Sequence, residues 1–344
     1  MMLNLRKYLY KKMFDSQNRI IVKKKKLFLP KAIVENYKTL QYYSFGEKNK
    51  NKIFYVIQRK EGGGFFSNVL YVLNHLIVAD KYNFIPVIDM ENFEGFYNEE
   101  SKINGTLNSW EYYFYQPSNY SLKEVYKSKN VIITSNKTFK NYKYRAFNRY
   151  KDLKKVFIKY IKIKKNIINE ADKIIKKINI NKKNMIGLHW RGTDHKFLPN
   201  HPQPPSRSQI YAKIKKAKNR KKFDKIFVVT EDLCNLKILL KKYKSKILYL
   251  NSFRSTKSSD FSNFKRKNHR YKVGKDSLIE VLVLSHLDYL ICSESNISDF
   301  AKFISSNNKY AIDRIFNYRN SKNSVKSYLN WKLKSVLPSS LGGY

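Results

Sequence analysis

Apolar and polar positions alternate along the chain in a pattern that predicts strands and helices in turn. A short apolar run at 53–57 is bounded by polar residues, which is typical of a buried strand. Apolar residues at helical spacing follow over 66–77, and a second apolar run lies at 84–88. Strand, turn, helix and strand make one βαβ unit, so parallel sheet is expected from this point onward.

The same alternation continues to residue 314. Further strands are predicted at 131–134, 185–190, 225–230, 246–250, 289–292 and 310–314, and further helices at 151–178, 206–217, 232–242, 276–286 and 296–305. Such alternation favours parallel sheet covered by helices on both faces. We therefore predict an α/β chain of two Rossmann-like domains. Ligands of such folds bind at the carboxyl ends of the strands, and here in the cleft between the domains.

This pattern divides the chain into four segments. Residues 1–50 are basic and weakly patterned and are interpreted as an extension with one or two short elements. The two Rossmann-like domains are predicted at 51–178 and 179–314. Residues 315–344 form a tail, and whether it packs back on the N-terminal domain stays open.

Composition excludes several classes of protein. Apolar residues make up 42% and aromatic residues 15%, so the chain is not of the disordered class despite a mean hydropathy of −0.59. The 344 residues are enough to bury a sizeable core. With 2 Cys and 6 His that do not cluster, neither a disulfide framework nor a structural metal is expected.

The charge is strongly positive: 70 Lys and Arg against 26 Asp and Glu give +44. One interpretation is a polyanionic partner such as nucleic acid. The other is compositional drift, because the excess is spread along a chain rich in Lys, Asn, Ile, Tyr and Phe. We favour drift, with which an anionic membrane surface stays compatible. No secretion signal and no spanning segment is visible, so the expected location is cytoplasmic, with peripheral membrane contact left open.

The most informative polar stretch, at 187–194, ends a predicted strand. His189 and Arg191 share one face by the period of two. Both are costly to bury unless they bond a partner, and the planar fork of Arg matches phosphate oxygens. The functional interpretation is an Arg directed at a phosphate. A salt-bridged strand end with a hydrogen-bonded core His is equally open.

Three other turns follow strands or precede helices. The turn with Thr230 and Asp232 is more ordinarily a helix cap, although it could also face a nucleotide base or ribose. Residues 293–296, Ser-Glu-Ser-Asn, open a helix whose N-terminus could bind phosphate or simply be capped. The turn at 62–64 is Gly-Gly-Gly and permits close approach to a ligand, or is merely tight. It is neither a dinucleotide fingerprint nor a P-loop.

The chain contains no Asp-x-Asp triplet. Sugar transferases that hold their nucleotide through a metal usually need such paired carboxylates. Positive side chains would then have to neutralise a leaving diphosphate, and no metal is predicted.

Taken together, these stretches resemble the superfamily of α1,2-, α1,6- and protein-O-fucosyltransferases, which includes bacterial NodZ-like enzymes. Residues 187–194, Gly-Leu-His-Trp-Arg-Gly-Thr-Asp, look like its His-x-Arg-(Arg/Gly)-x-Asp motif. The Gly-rich turn with Asn68 resembles its Gly-Gly-x-x-Asn loop, and 226–232 resembles one of its strand–turn motifs. The remaining matching pieces are Asn-Ser-Trp-Glu-Tyr-Tyr-Phe at 108–114, Arg254-Ser255 followed by His269, and Asp276 to Ser298. The order is preserved over 53–305.

The resemblance implies a GT-B fold, an inverting mechanism, a GDP-fucose donor and no obligatory metal. It makes 51–178 the acceptor-side domain and 179–314 the nucleotide-sugar-binding domain. The partners implied are a GDP-sugar and a glycan or glycolipid acceptor, and specific nucleic acid is not expected. Two rival functions are a GT-B transferase for another nucleotide sugar and a basic, non-catalytic nucleic-acid-binding protein.

Carried over by motif position, the resemblance assigns Arg191 to the donor diphosphate, with His189 in support, and places Asp194 with them as the catalytic set. The implied donor-binding residues are Gly63, Gly64, Asn68, Arg191, Thr230, Asp232, Arg254, Ser293, Ser295 and Asn296. Gly192 departs from the second Arg of many α1,6 members. The loop at 195–209 lacks the Glu that those members carry, so the general base stays open among Asp194, His195 and His201.

Overall fold

A computed structural model describes residues 40–60, 62–135, 150–179, 185–196, 201–220, 222–319, 325–338 and 341. The chain divides into two compact units, Met1–Lys164 and Lys165–Tyr344. This division falls before the helix that begins at residue 165, whereas the sequence places the boundary near 179. None of the helices in the described ranges is long and apolar enough to cross a membrane.

The first unit is built around a mixed sheet with helices between its strands. Its strands are β1 (Leu40–Tyr43), β2 (Phe54–Ile57), β3 (Ile85–Ile88) and β4 (Val131–Thr134), and its helices are α1 (Phe65–Lys81), α2 (Leu122–Val125) and α3 (Tyr150–Tyr160). The strand order is β1-β4-β2-β3, with β2 parallel to both neighbours and β1 antiparallel to β4. All four residues of β2 are buried, which explains its continuous apolar sequence.

The second unit contains a fully parallel sheet. Its strands are β5 (Met185–His189), β6 (Lys225–Val229), β7 (Ile247–Leu248), β8 (Tyr289–Ser293) and β9 (Ala311–Ile315). Its helices are α4 (Lys165–Lys177), α5 (Arg207–Arg220), α6 (Leu233–Tyr243), α7 (His269–Ser285), α8 (Asn296–Ile304) and α9 (Val325–Val336). The strand order is β7-β6-β5-β8-β9. The order reverses between β5 and β8, which is where doubly wound folds bind ligands.

Side chains of β5 alternate between two faces of this sheet. Ile186, Leu188 and Trp190 join the core cluster that includes α5 and α6 residues such as Ile210 and Leu236. Gly187 and His189 face the other side, where a Cβ on Gly187 would come within 2.9 Å of Leu284 of α7. The prediction of an α/β fold with parallel sheet is confirmed. A cleft between the units stays a prediction.

The long helix predicted at 151–178 is wrong, because two helices, α3 and α4, occupy this range. Between them, the N–H of Lys164 donates to the carbonyl of Tyr113 at 2.9 Å, and the N–H of Tyr115 donates to the carbonyl of Lys162 at 2.9 Å. These bonds to a distant segment replace the helical bonds that the intervening residues would otherwise make.

Three smaller differences concern the ends of the predicted segments. The predicted extension at 1–50 is too long, because β1 belongs to the first sheet; residues 1–39 lie outside the described part. Helix α7 begins at His269 rather than at 276. The predicted tail contains α9, where the indole N–H of Trp331 donates to the carbonyl of Lys196 in the same unit at 2.7 Å.

Candidate functional site

The carboxyl ends of β5 and β8 lie side by side, because His189 pairs with Cys292 across the two strands. Residues that follow directly, Arg191 after β5 and Ser293 at the end of β8, therefore belong to one polar edge of the second sheet. We call this edge, with the first turn of α8, the β5–β8 crevice. It is the place at which the strand order reverses.

His189 is fully buried in the crevice, with 0% of its surface exposed. Its Nδ1 lies 2.8 Å from the hydroxyl of Ser298, while its Nε2 is buried and has no hydrogen-bond partner. Burial, together with the charge of Arg191, lowers the pKa of His189 to about 3. The ring is therefore neutral at physiological pH, and its Nε2 is a donor if the Ser298 hydroxyl donates to Nδ1.

Arg191 lies beside an acidic residue that the sequence reasoning did not single out. Its Nε is 3.5 Å from Oε1 of Glu231, and 21% of the Arg191 side chain is exposed. The same Glu231 oxygen accepts a hydrogen bond from the N–H of Gly192 at 2.8 Å. Glu231 thus holds both the backbone and the side chain at the end of β5. Its signal in the sequence is its place in the stretch 226–232, directly before the capping Asp232.

Gly192 is required by packing rather than by backbone conformation. A Cβ at this position would lie 2.6 Å from Oδ2 and 2.7 Å from Cβ of Asp232. No ordinary side chain fits at that distance. A second Arg directly after Arg191 would therefore fit only if this loop moved away from Asp232.

Ser293 and the first turn of α8 form the other side of the crevice. The hydroxyl of Ser293 is buried and has no hydrogen-bond partner, and the residue is 2% exposed. Ser295 caps α8, its hydroxyl accepting from the N–H of Ile297 at 3.3 Å. Asn296 opens the helix and is half-buried. Buried unpartnered polar atoms at a helix N-terminus make an arrangement suited to an anion.

Thr230 and Asp232 perform structural tasks. Asp232 is 2% exposed and caps α6, with Oδ1 accepting from the N–H groups of Cys234 and Asn235 at 2.8 and 3.3 Å. Its Oδ2 lies 3.1 Å from Nζ of Lys196. The hydroxyl of Thr230 accepts from the Asp232 N–H at 3.3 Å. Both residues are positioned as the helix-capping interpretation predicts.

Arg254 is also tied to its own loop. Its guanidinium donates to the carbonyls of Leu250 and Ser252 at 2.8 and 2.9 Å, and it lies 3.5 Å from Glu280. Glu280 accepts a hydrogen bond from the Ser252 hydroxyl at 2.6 Å. Burial raises the pKa of Glu280 to about 7, although Ser252 and Arg254 oppose the change. Glu280 thus holds the loop of Arg254 together, a role that the sequence did not indicate because Glu280 sits inside an ordinary helical pattern.

The candidates for the general base lie in and after a short 3₁₀ turn, Thr193–Lys196. Asp194 is within this turn, but its side chain lies outside the described part. His195 is 7% exposed, and its ring centroid is 4.6 Å from that of His201. The structure thus brings two of the three candidates into contact. Which of them acts as the base stays open.

In the first unit, the Gly-rich turn is closed by Asn68. Its Oδ1 accepts from the N–H of Gly63 at 2.8 Å, and its Nδ2 donates to the carbonyl of Gly63 at 3.1 Å. Gly62 has a φ of +28°, and a Cβ there would lie 2.9 Å from Asn68 Oδ1. A Cβ on Gly64 would meet nothing within 4 Å. The turn therefore needs glycine at 62 for its own geometry, and Asn68 is occupied by the turn.

The stretch at 108–114 also acts within the first unit. Asn108 fastens the end of β3, its Nδ2 donating to the carbonyl of Ile88 at 2.7 Å and its Oδ1 accepting from the Met90 N–H at 3.2 Å. Rings of this stretch and of α1 line a cavity of about 20 Å³, which has room for about one water molecule. Its aromatic lining is formed by Phe65, Tyr97, Trp110, Tyr113 and Phe114.

A metal site was not expected from the sequence. Within the described ranges, no three His, Cys, Asp or Glu side chains lie together as a metal site would need. The expectation that no metal is required stays a prediction.

No family model and no curated protein matches the chain. Among solved structures it is similar to the α-1,6-fucosyltransferase NodZ, known from Bradyrhizobium, in a crystal soaked with GDP-fucose; the TM-score is 0.46 at 15% identity, over 74% of this chain and 93% of that one. It is similar to Arabidopsis thaliana FUT1 in complex with GDP, with a TM-score of 0.42 at 12% identity, over 81% and 74% of the two chains. It is also similar to the apo form of POFUT1, with a TM-score of 0.41 at 12% identity, over 76% and 97%.

Proposed function

We propose that the chain is a glycosyltransferase that binds the diphosphate of a nucleotide sugar, GDP-fucose, in the β5–β8 crevice. The observation that carries the proposal is the pair of buried polar atoms without partners, His189 Nε2 and Ser293 Oγ, at the N-terminus of α8. Buried polar groups are rarely left unbonded unless a ligand or water completes them. Arg191, at the same strand end, supplies the positive charge that a diphosphate needs.

The reaction follows from these positions. An acceptor hydroxyl attacks the anomeric carbon of fucose while the bond from that carbon to the diphosphate oxygen breaks, so GDP leaves from the opposite face and the centre is inverted. Negative charge grows on the departing diphosphate, where Arg191 and the N-terminus of α8 would stabilise it. Glu231 orients Arg191 and the N–H of Gly192 is fixed by the same carboxylate, so the end of β5 is preorganised.

The remaining predicted donor-binding residues take different roles in this proposal. Thr230, Asp232 and Arg254 shape the loops around the crevice through bonds to their own backbone neighbours. Ser293, Ser295 and Asn296 would hold the β-phosphate. Closure of Gly63, Gly64 and Asn68 over the donor stays a hypothesis, because Asn68 is bonded to Gly63. Proton transfer would fall to Asp194, His195 or His201 and would contribute about 10²–10⁴-fold.

Thermal unfolding with GDP, with UDP and without nucleotide, each measured in the presence and in the absence of EDTA, tests the donor assignment. At a concentration of 100 times its Kd, GDP should raise the free energy of unfolding by about 2.7 kcal/mol. Equal stabilisation by UDP would indicate a transferase for another nucleotide sugar. Stabilisation by GDP that disappears in EDTA would contradict the metal-independent proposal.

The net charge of +44 favours one other function, a nucleic-acid-binding protein without catalysis. Binding through scattered Lys residues is non-specific and falls steeply between about 50 and 200 mM salt. GDP binding should fall far less over this range, because directed hydrogen bonds would hold the diphosphate. A paired salt titration of GDP and a DNA duplex on one preparation separates the two. DNA binding that keeps its sequence preference at 200 mM salt, with no GDP binding, would replace the enzyme proposal.

A further inference from the structure

Helix α9 has its apolar and polar faces reversed relative to an ordinary surface helix. Large apolar residues spaced at 325, 329, 333 and 336 face outward: Val325 is 75% exposed, Leu329 60%, Leu333 57% and Val336 82%. The side that packs on the second unit carries Ser327, which is 7% exposed, and Trp331, whose indole bonds the carbonyl of Lys196. A surface helix normally turns its apolar stripe toward the core.

Lysines and aromatic rings border this outward stripe. Lys326 and Lys332 are exposed and lie on opposite sides of it by helical spacing. Nζ of Lys326 is 5.3 Å from the ring centroid of Tyr318, and that of Lys332 is 5.8 Å from the ring of Tyr328. Tyr318 is 47% exposed and Tyr328 37%. We call the stripe with its border of Lys and Tyr the α9 face.

We propose that the α9 face docks on the surface of an anionic lipid bilayer. An apolar stripe bordered by Lys, with Tyr at its margin, is the arrangement by which amphipathic helices lie in the interface of a membrane. Charge complementarity favours this occupant over a second copy of the chain. Each copy carries +44, so two copies repel each other, whereas an anionic surface attracts both the Lys border and the whole protein.

The helix is anchored in a way that leaves its outward side available. Trp331 bonds Lys196, and Nε2 of Gln203 bonds the carbonyl of Ser327 at 3.5 Å. These contacts hold α9 against the second unit through its inner side. The proposal does not depend on the enzyme proposal, because no residue of the α9 face belongs to the β5–β8 crevice.

Vesicle co-sedimentation of the full chain tests the proposal. The probes are vesicles of phosphatidylcholine alone and vesicles with a third of phosphatidylglycerol, at low and at physiological salt. Binding is expected to the anionic vesicles only, and each Lys at the surface should contribute roughly fivefold. The double variant Leu329→Asp/Leu333→Asp should lower the partition coefficient by about tenfold or more, because it removes the inserted apolar groups.

A matched control carries the same loss of apolar groups and the same change of charge elsewhere. Ile158→Asp/Phe96→Asp replaces two side chains that are 67% and 52% exposed in the first unit, and it should bind vesicles within about twofold of the unchanged chain. Likewise, Lys326→Gln/Lys332→Gln should weaken binding more than Lys151→Gln/Lys155→Gln, whose lysines are exposed on α3. All four variants change exposed residues, so thermal unfolding should be unaltered and will exclude misfolding.

Three outcomes would overturn the proposal. Equal loss in the α9 variant and its control would mean that net charge alone recruits the chain. Unchanged vesicle binding with an altered sedimentation coefficient for the α9 variant would mean that a second copy covers the face. Absence of binding to anionic vesicles at low salt would exclude a lipid surface. GDP stabilisation measured on the same variants is expected to be unchanged, so failure here leaves the enzyme proposal separately tested.

Discussion

Each of the two sheets has a point at which the strand order reverses, and the polar groups at these two points differ in their hydrogen bonds. In the first sheet, the strand order reverses between β2 and β4, and the polar groups there bond one another: Gln58 donates to the carbonyl of Thr134 at 2.8 Å, and Asn68 closes on Gly63. In the second sheet, the equivalent edge leaves His189 Nε2 and Ser293 Oγ buried without partners. Topology alone therefore does not mark a binding site. The amides of Gln58 and Asn68 at the first edge make bonds that the imidazole Nε2 of His189 and the hydroxyl of Ser293 at the second edge lack.

The largest expected effect comes from Arg191, the charged residue at the edge of the second sheet. Arg191→Ala should lower the rate of fucose transfer from GDP-fucose by about 10²–10³, because charge on the departing diphosphate loses its stabiliser. Arg191→Lys should also fail largely, since an ammonium lacks the two-pronged geometry. Transfer assays with circular dichroism as a folding control measure this. Near-normal transfer by the Ala variant would remove Arg191 from the site.

A pair of serines on the same edge separates a ligand-facing hydroxyl from a structural one. Ser293→Ala should leave stability unchanged or slightly higher, because no bond in the described structure is lost, but it should weaken GDP binding by about tenfold or more. Ser298→Ala should instead cost about 1 kcal/mol of stability, because Nδ1 of His189 loses its partner. Calorimetric titration with GDP and urea unfolding measure the two quantities. If both variants behaved alike, Ser293 would not face a ligand.

His75 in the first unit and His189 in the second are both fully buried and neutral, and acid should destabilise the protein through each of them. Burial and the charge of Arg59 lower the pKa of His75 to about 3, as burial and Arg191 do for His189. In the unfolded chain each ring takes a proton near pH 6.5. Each therefore contributes stability that is present above pH 6.5 and lost as the pH falls toward 3, by at most about 1.4 kcal/mol per pH unit.

Urea unfolding between pH 7 and pH 4 measures that slope. His75→Gln retains an acceptor for the Tyr55 hydroxyl, which lies 2.8 Å from Nδ1 of His75, and should make the slope shallower. A slope that does not change in the variant would mean that His75 is protonated in the folded protein.

The smallest expected effect concerns the Gly-rich turn at the edge of the first sheet. Gly62→Ala should cost about 1 kcal/mol of stability, because φ is +28° and the new Cβ would press on Asn68. Gly64→Ala should be close to neutral, since nothing lies within 4 Å of its Cβ. If Gly64→Ala kept its stability but lost transfer activity, the Gly-rich turn would approach a ligand after all, and the two edges would be less different than their hydrogen bonds indicate.

The sequence predicts what depends on local pattern and fails where distant segments decide. The strands of both sheets and the turn at Asp232 are recognisable because apolar runs and capping residues are local signals. The break between α3 and α4 is not, because it depends on Tyr113 and Tyr115. Strand β1 was missed because it pairs with β4, far along the chain, at the edge of the sheet.

Within the candidate site, it is easier to predict which residues belong to the site than which contacts they make. His189, Arg191 and Ser293 are recognisable from their place at strand ends. The contacts of two acidic residues could not be predicted, because they depend on the relative position of β5 and β6. Asp232 caps α6 and pairs with Lys196, and Glu231 orients Arg191. Helix α9 was not predicted, although its apolar residues recur at helical spacing, because 315–344 was interpreted as a tail; that its apolar stripe faces outward can be known only from the structure.

The contact between Gly192 and Asp232 limits how this chain could change over generations. An Arg at position 192 would have to place its Cβ within 2.6 Å of the Asp232 carboxylate, so that substitution is blocked while Asp232 stands. Removing Asp232 first would uncap α6 and release Lys196. Because a Cβ at 192 would also lie 2.7 Å from Cβ of residue 232, only a glycine at 232 would remove the clash. In this loop conformation a side chain at 192 and a capping side chain at 232 therefore exclude each other, which makes the pair a constraint on the sequence of any descendant of this chain.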